Sequence, residues 1–179
     1  MTAEAFFTAL HSRYLQEADR LNALDAAVGD GDHGTTMLRG LTKAVAAEDG
    51  KRAKAFMRAS GGASGTLFGL VMLEIESHLD EGAPLDTGLA RAGARVCDLG
   101  DVAVGDKSMV DALGPAVDAL ANGGLPDAIQ AAKTGRDSTR DIPARRGRAQ
   151  YVEGGGRGHL DPGAVSVVIM LETLGDVAS

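Results

Sequence analysis

Apolar residues recur at spacings of three and four along most of this chain, the period of helices that each bury one face. Over residues 3–20, Phe6, Phe7, Leu10, Tyr14, Leu15 and Ala18 follow that spacing with charges between them. The same pattern predicts helices over about Thr36–Ala47 and Lys51–Arg58. A further helix over about Ala63–Leu79 is apolar on most sides (Leu67, Phe68, Leu70, Val71, Met72, Leu73, Ile75), which predicts deep burial. After the Glu81-Gly82-Ala83-Pro84 break, Asp86 or Thr87 is expected to cap a helix running to about Leu99. The next carries Met109, Val110, Leu113, Val117 and Leu120 on one stripe and stops at Asn122-Gly123-Gly124. Pro126 opens another, to about Ser138. The last begins at Asp161-Pro162-Gly163, a capping carboxylate followed by Pro at the first helical position, and continues through Val165, Val168, Ile169, Leu171 and Leu174. About eight helices and no convincing strand result, so the expected fold class is all-α. No repeat or linker divides the chain, and residues 1–179 are expected to form a single domain. Residues 139–160 form a long connection with little apolar periodicity, and connections of that length in a compact domain usually carry function or move.

Composition narrows the picture. Aromatic residues make up 3% of the chain, so the core must be built from Ala, Leu, Val, Ile and Met, which suits packed helices. The net charge of −7 disfavours non-specific nucleic-acid binding, where Lys and Arg must neutralise phosphates. The single Cys97 rules out an internal disulfide and any multi-cysteine metal site. The N-terminus lacks a signal-peptide pattern, and no run approaches the ~20 apolar residues of a membrane span. The expectation is a soluble, cytoplasmic protein without nucleic-acid or membrane partners.

The strongest chemical signal is Asp25-Ala26-Ala27-Val28-Gly29-Asp30-Gly31-Asp32-His33-Gly34, with no Lys or Arg between Leu21 and Leu38. Asp30 and Asp32, flanking Gly31, can face one direction from an extended turn. Converging carboxylates repel unless a hard cation sits among them, and Mg²⁺ takes a few carboxylates while leaving positions to water and phosphate. Asp and Gly are also ordinary turn formers, so the motif alone leaves both readings open. A calcium EF-hand is the poorer reading, because the twelfth position from Asp30 is Leu41. Gly61-Gly62-Ala63-Ser64-Gly65 stands at the start of the buried helix, where free N–H groups suit a phosphate; small residues serve close helix crossings equally well. Gly100 to Ser108 imitates a Walker A loop, but Asp106 separates Gly105 from Lys107 and the preceding segment reads as helix, so a P-loop is rejected. Met109 beyond it suits an adaptable apolar contact. Residues 136–160 hold six Arg against Asp137, Asp141 and Glu153; this is either a phosphate-facing loop or a solvated basic one. His33 and His159 fit no zinc pattern, and no Gly-x-Ser-x-Gly nucleophile elbow occurs.

In this order the segments resemble the nucleotide-binding L subunit of dihydroxyacetone kinase and the equivalent C-terminal domain of the single-chain kinases. The matching pieces are Leu24-Asp25 through Gly34, Gly61 to Gly65, Gly105-Asp106-Lys107-Ser108-Met109, Ala144 to Ala149, and Gly158-His159 with Asp161-Pro162-Gly163-Ala164. The resemblance implies a barrel of eight antiparallel helices with the nucleotide site at one end. It implies two Mg²⁺ ions on Asp25, Asp30 and Asp32. It implies ADP or ATP contacts at His33, Gly34, Thr35, Thr36, Ala63, Ser64, Gly100, Met109, Arg148, Asp161, Pro162 and Gly163. It further implies a phosphoryl relay from a phosphohistidine-bearing phosphotransferase (M-type) subunit, through bound nucleotide, to dihydroxyacetone held on a separate K subunit. No catalytic nucleophile is expected in this chain, and a homodimer is the expected assembly. Two other functions remain open: a nucleotide-sensing module that regulates a partner such as a transcription regulator, and metal-dependent phosphoester hydrolysis. A related triose or tetrose remains open as acceptor.

Overall fold

The structure, a computed structural model, describes residues 1–178, and of Arg148 only the backbone. Eight α-helices account for most of them: α1 (Ala3–Ala26), α2 (His33–Val45), α3 (Arg52–Ser60), α4 (Gly62–Glu81), α5 (Leu85–Gly100), α6 (Met109–Asn122), α7 (Leu125–Ser138) and α8 (Pro162–Ala178). No strand occurs among the described residues. Each helix packs on the next, and α8 packs on α1, so the ring closes into a barrel. Connections between most neighbours are short, which returns the chain antiparallel each time. The four connections that follow odd-numbered helices therefore gather at one end.

The core is a continuous cluster running from Phe6, Phe7 and Tyr14 of α1 through Met72 and Ile75 of α4 to Val168 and Leu171 of α8. Burial is deepest along α4 and α8, as the nearly unbroken apolar runs require. Leu15, placed by its spacing on the α1 stripe, is instead 61% exposed; it lies beside Tyr14, and adjacent residues on a helix point some 100° apart. Two buried charges hold helix ends. Arg52 donates to the carbonyls of Ala44, Val45 and Ala47 at the end of α2, at 3.3, 3.2 and 2.7 Å. Glu76, from α4, accepts the N–H groups of Arg52 and Ala53 at the start of α3, at 2.9 and 3.1 Å. Each sign of charge meets the helix end that favours it.

Three boundaries differ from the sequence reading. Helix α1 runs on to Ala26, because Leu21 and Leu24 extend its packed side. Helix α2 starts at His33, so His33, Gly34 and Thr35 form its first turn. Helix α5 starts at Leu85 behind Pro84 with no side-chain cap; Asp86 lies within its first turn, where a carboxylate complements the helix dipole, and does not cap. No helix among the described residues is long and apolar enough to cross a membrane.

Candidate functional site

At the end where those four connections meet lies a cavity of about 620 Å³. Asp25, on the last turn of α1, enters it with Asp30 and Asp32 from the connection that follows. One oxygen from each carboxylate lies within 4.8 Å of the others. Like charges at that spacing repel by roughly 1–3 kcal/mol per pair between bulk-water and near-surface dielectric values. Three such pairs make a divalent cation the natural occupant, and an all-oxygen set on a partly exposed turn fits Mg²⁺. Asp25 is also a structural group. Its Oδ2 accepts the N–H of Asp32 at 2.9 Å and of His33 at 3.2 Å, so it caps the start of α2 from seven residues upstream. Thr36 Oγ1 donates to Asp32 Oδ2 at 3.3 Å from the next turn.

His33 is buried, with Nε2 2.7 Å from Ser166 Oγ of α8 and its ring 5.7 Å from that of Phe68. Burial pushes its pKa down to about 4 against the opposing pull of Asp25 and Asp32, so the imidazole is neutral near pH 7. Facing the acidic turn within the same cavity is the start of α4. Gly61 and Gly62 adopt φ of 68° and 64°, a left-handed turn that a side chain would strain. No side chain caps this helix, and its open N–H groups and partial positive charge suit an anion. Arg39 pins the turn before it, donating Nε to Ala59 O at 3.0 Å and Nη2 to Ser60 O at 2.6 Å. Leu67, Leu99, Val102 and Met109 give the cavity an apolar side.

Asp161 caps α8, its Oδ2 accepting the N–H of Ala164 at 2.7 Å. Burial raises its pKa to about 7; Asp111 and Asp25 push the same way, against the Ala164 bond and Lys107. Asp111 closes a capping box with Ser108 and also accepts the N–H of Gly105 at 2.6 Å, which fixes the 101–108 connection. The long connection after α7 forms one short 3-10 turn, Arg148–Tyr151, then a glycine turn over Glu153–Gly156 in which Gly154 and Gly155 hold φ of 67° and 62°, and it roofs the cavity with Arg146, Gly147 and Ala149. Arg145 N donates to Asp106 O at 3.1 Å, and Arg146 pairs with Asp101 at 2.9 Å.

Of the residues singled out from sequence, Asp25, Asp30, Asp32, His33, Thr36, Ala63, Ser64, Gly100, Met109, Asp161, Pro162 and Gly163 all line this one cavity. Gly34 and Thr35 do not. Gly34 faces α1, where an added Cβ would lie 2.1 Å from Ala18 O. Thr35 exchanges two hydrogen bonds with Asn22, Oγ1 accepting at 2.8 Å and N donating at 3.0 Å. The side chain of Arg148 lies outside the described residues. Arg39 and Lys107, neither of them among the expected contacts, also line the cavity; Arg39 had a signal, standing one turn beyond Thr36 on the same helix face, and Lys107 lay within the Gly105-to-Met109 segment.

The DAK2 domain family matches residues 27–176. The chain is 33% identical to the ADP-binding subunit DhaL of PEP-dependent dihydroxyacetone kinase 1 of Listeria innocua, over 90% of this chain and 88% of that one. It is likewise 33% identical to the ADP-binding subunit DhaL of the Escherichia coli K12 enzyme, over 88% and 87%. It is 35% identical to the L-erythrulose 1-kinase of Mycolicibacterium smegmatis, over 87% of this chain but 32% of that protein. The solved dihydroxyacetone kinase of C. freundii, in complex with AMP-PNP and Mg²⁺, has the same fold, with a TM-score of 0.74 at 24% identity over 98% of this chain and 33% of that chain. With the family matched across most of its helices and a third of its residues shared with two subunits of nearly equal length, the chain belongs to the DAK2 domain family.

Proposed function

We propose that this chain is the nucleotide-holding subunit of a dihydroxyacetone kinase. It would retain ADP or ATP with two Mg²⁺ ions and relay a phosphoryl group from a phosphohistidine protein to dihydroxyacetone on a separate K subunit. One arrangement carries the reading: three converged carboxylates and an uncapped helix start share one cavity that also has an apolar side. Magnesium held there would neutralise phosphate charge, which phosphoryl transfer needs more than covalent help. The chain's own residues do the rest. Asp25, Asp30 and Asp32 hold the metal, and Asp25 ties the acidic turn to α2. The N–H groups at the start of α4 receive phosphate oxygens, Leu67 and Met109 offer a surface for a base, and neutral His33 adds no charge beside the metal. The Listeria and E. coli relatives, both named ADP-binding subunits, support the assignment.

Asp30→Ala and Asp32→Ala are expected to weaken Mg–ADP binding by more than about 100-fold, since even groups that only support metal ligands are worth 10–100-fold. Calorimetry with ADP and Mg²⁺ measures this, and near-native affinity in either variant would overturn the reading. The acceptor has a second candidate. Two relatives are named L-erythrulose 1-kinase and D-erythrulose kinase, and the chain matches 32% and 34% of their lengths. Mixing the chain with a K-type subunit and either dihydroxyacetone or erythrulose, and comparing kcat/KM, separates the two.

A further inference from the structure

The connection between α7 and α8 leaves and re-enters the barrel through a narrow neck. Gly158 N donates to Arg140 O at 2.8 Å, and Asp161 N donates to Thr139 Oγ1 at 3.0 Å, so the outgoing and returning limbs touch. A side chain from a different connection is threaded between them. Lys107 Nζ donates to Thr139 O on the outgoing limb and to His159 O, at 2.6 Å, on the returning one. Lys107 is 4% exposed, and its backbone holds a φ of 61°, a left-handed conformation that Lys rarely adopts. A buried ammonium is costly unless its donors are paired; burial holds the Lys107 pKa below its ordinary value and Arg140 adds to that, while Asp161, Asp111 and Asp141 oppose it, and two carbonyls take two of the three N–H donors.

Beyond the neck the segment becomes the roof. Ala144 N donates to Gly155 O at 2.9 Å, which closes the roof on itself. Arg145 N also ties the roof to Asp106 O at 3.1 Å; its ion pairs, Arg145 to Asp106 and Arg146 to Asp101, involve exposed arginines, where such pairs are weak and screened. Among the charged side-chain ties, the buried one at the neck is therefore the strong one.

We propose that Lys107 is a positioning residue whose ammonium clasps both limbs of the 139–160 segment, and that this clasp sets how long a nucleotide remains under the roof. The ligand in this proposal rests on the function proposed above, while the clasp stands on its own.

The test uses Lys107→Met in the full chain, read two ways. Amide hydrogen exchange without nucleotide is expected to speed up by about 10-fold or more across residues 139–160, with α1–α6 unchanged, as for a locally opened unit. Dissociation of a fluorescent ADP analogue, chased with unlabelled ADP in Mg²⁺, is expected to speed up by about 10-fold or more, since such changes fall mainly on the off-rate. Unchanged exchange in 139–160 overturns the clasp, even if binding weakens, because loss of a direct phosphate contact would weaken binding without loosening the empty roof. Faster exchange with an unchanged off-rate overturns the link to residence time. Exchange that rises throughout the barrel also overturns the proposal, since the lysine would then support the whole fold. If the unaltered chain binds no Mg–ADP, the residence-time claim falls together with the reading of the cavity, and the exchange measurement still decides the clasp. Should Lys107→Met fail to fold, Lys107→Gln, which removes the ammonium from the two carbonyls but keeps a polar N–H group, is read by the same two measurements with the same expected direction.

Discussion

Gly34→Ala is expected to disturb stability and nucleotide binding together, through a single contact. The new methyl would lie 2.1 Å from Ala18 O, while carbon–oxygen contacts ordinarily begin near about 3.3 Å. The obstacle is helix backbone, so α1 and α2 must part by about 1 Å, the difference between those two distances. Overpacking of that kind costs about 1–3 kcal/mol. Lengthening the two bonds that Asp25 accepts from Asp32 and His33 adds about 1 kcal/mol. The better helix propensity of Ala returns about 0.5–1 kcal/mol, which leaves a net loss of about 2 kcal/mol. For a chain of 179 residues that is a fall in Tm of roughly 4–8 °C. The same displacement shifts Asp32 relative to Asp25, and a 1 Å misplacement at a reacting centre costs on the order of 100-fold. Gly93→Ala is the matched control, because its Cβ would meet only Leu113 and Val117 side chains at 3.9 Å; it should gain about 0.5–1 kcal/mol and bind normally. Urea unfolding and calorimetry with Mg–ADP read both variants. A Gly34→Ala chain as stable as Gly93→Ala, with unaltered affinity, would refute the argument.

Glu76→Ala leaves the Arg52 and Ala53 N–H groups at the start of α3 without their acceptor. The expected loss is about 2–3 kcal/mol, or roughly 4–12 °C in Tm; scanning calorimetry tests it, and a shift under about 1 °C would count against the cap. Asp161 has a folded pKa of about 7, above the ordinary 3.8. Its stabilising contribution is therefore full below the ordinary carboxylate range and is lost as pH rises through 7. Asp161→Asn keeps an acceptor for Ala164 but does not titrate, so its stability relative to the unaltered chain should rise between about pH 4 and 7; a difference that stays flat in metal-free urea titrations would refute this. His33 acts in the opposite sense. Its folded value of about 4 lies below the ordinary 6.5, so its contribution is lost as pH falls through that range, and a His33→Gln variant should be less sensitive to acid between about pH 6 and 4.

The helices were legible because each buries a stripe: Phe6, Leu10 and Tyr14 on α1, or Met109, Val110 and Leu113 on α6, announce themselves by spacing alone. What the spacing missed has a tertiary cause. Asp32 stands at the N-cap position of α2, but its side chain makes no cap bond there; the free N–H groups of Asp32 and His33 go instead to Asp25, on another helix, which spacing does not reveal. The site was legible where its chemistry lies in side chains of unusual local density, as in Asp25, Asp30 and Asp32. It was illegible where partners are main-chain atoms. The bonds of Lys107 go to the carbonyls of Thr139 and His159, 32 and 52 residues away, and every residue carries a carbonyl. Gly34 was legible as part of a motif, but its close approach to Ala18 depends on how two helices cross.

The closed ring of antiparallel helices places both chain ends far from the cavity. Helix α1 reaches the site with its last turn and α8 with its first, so at 1.5 Å per residue the start of α1 lies about 36 Å away and the end of α8 about 25 Å. A domain fused at either end would stand behind the barrel. An extended tether gaining about 3.3 Å per residue would need on the order of ten residues to bring its reactive group round to the mouth. Any phosphoryl donor or acceptor must therefore arrive face-on at the roofed end, whether or not it is covalently joined to this chain.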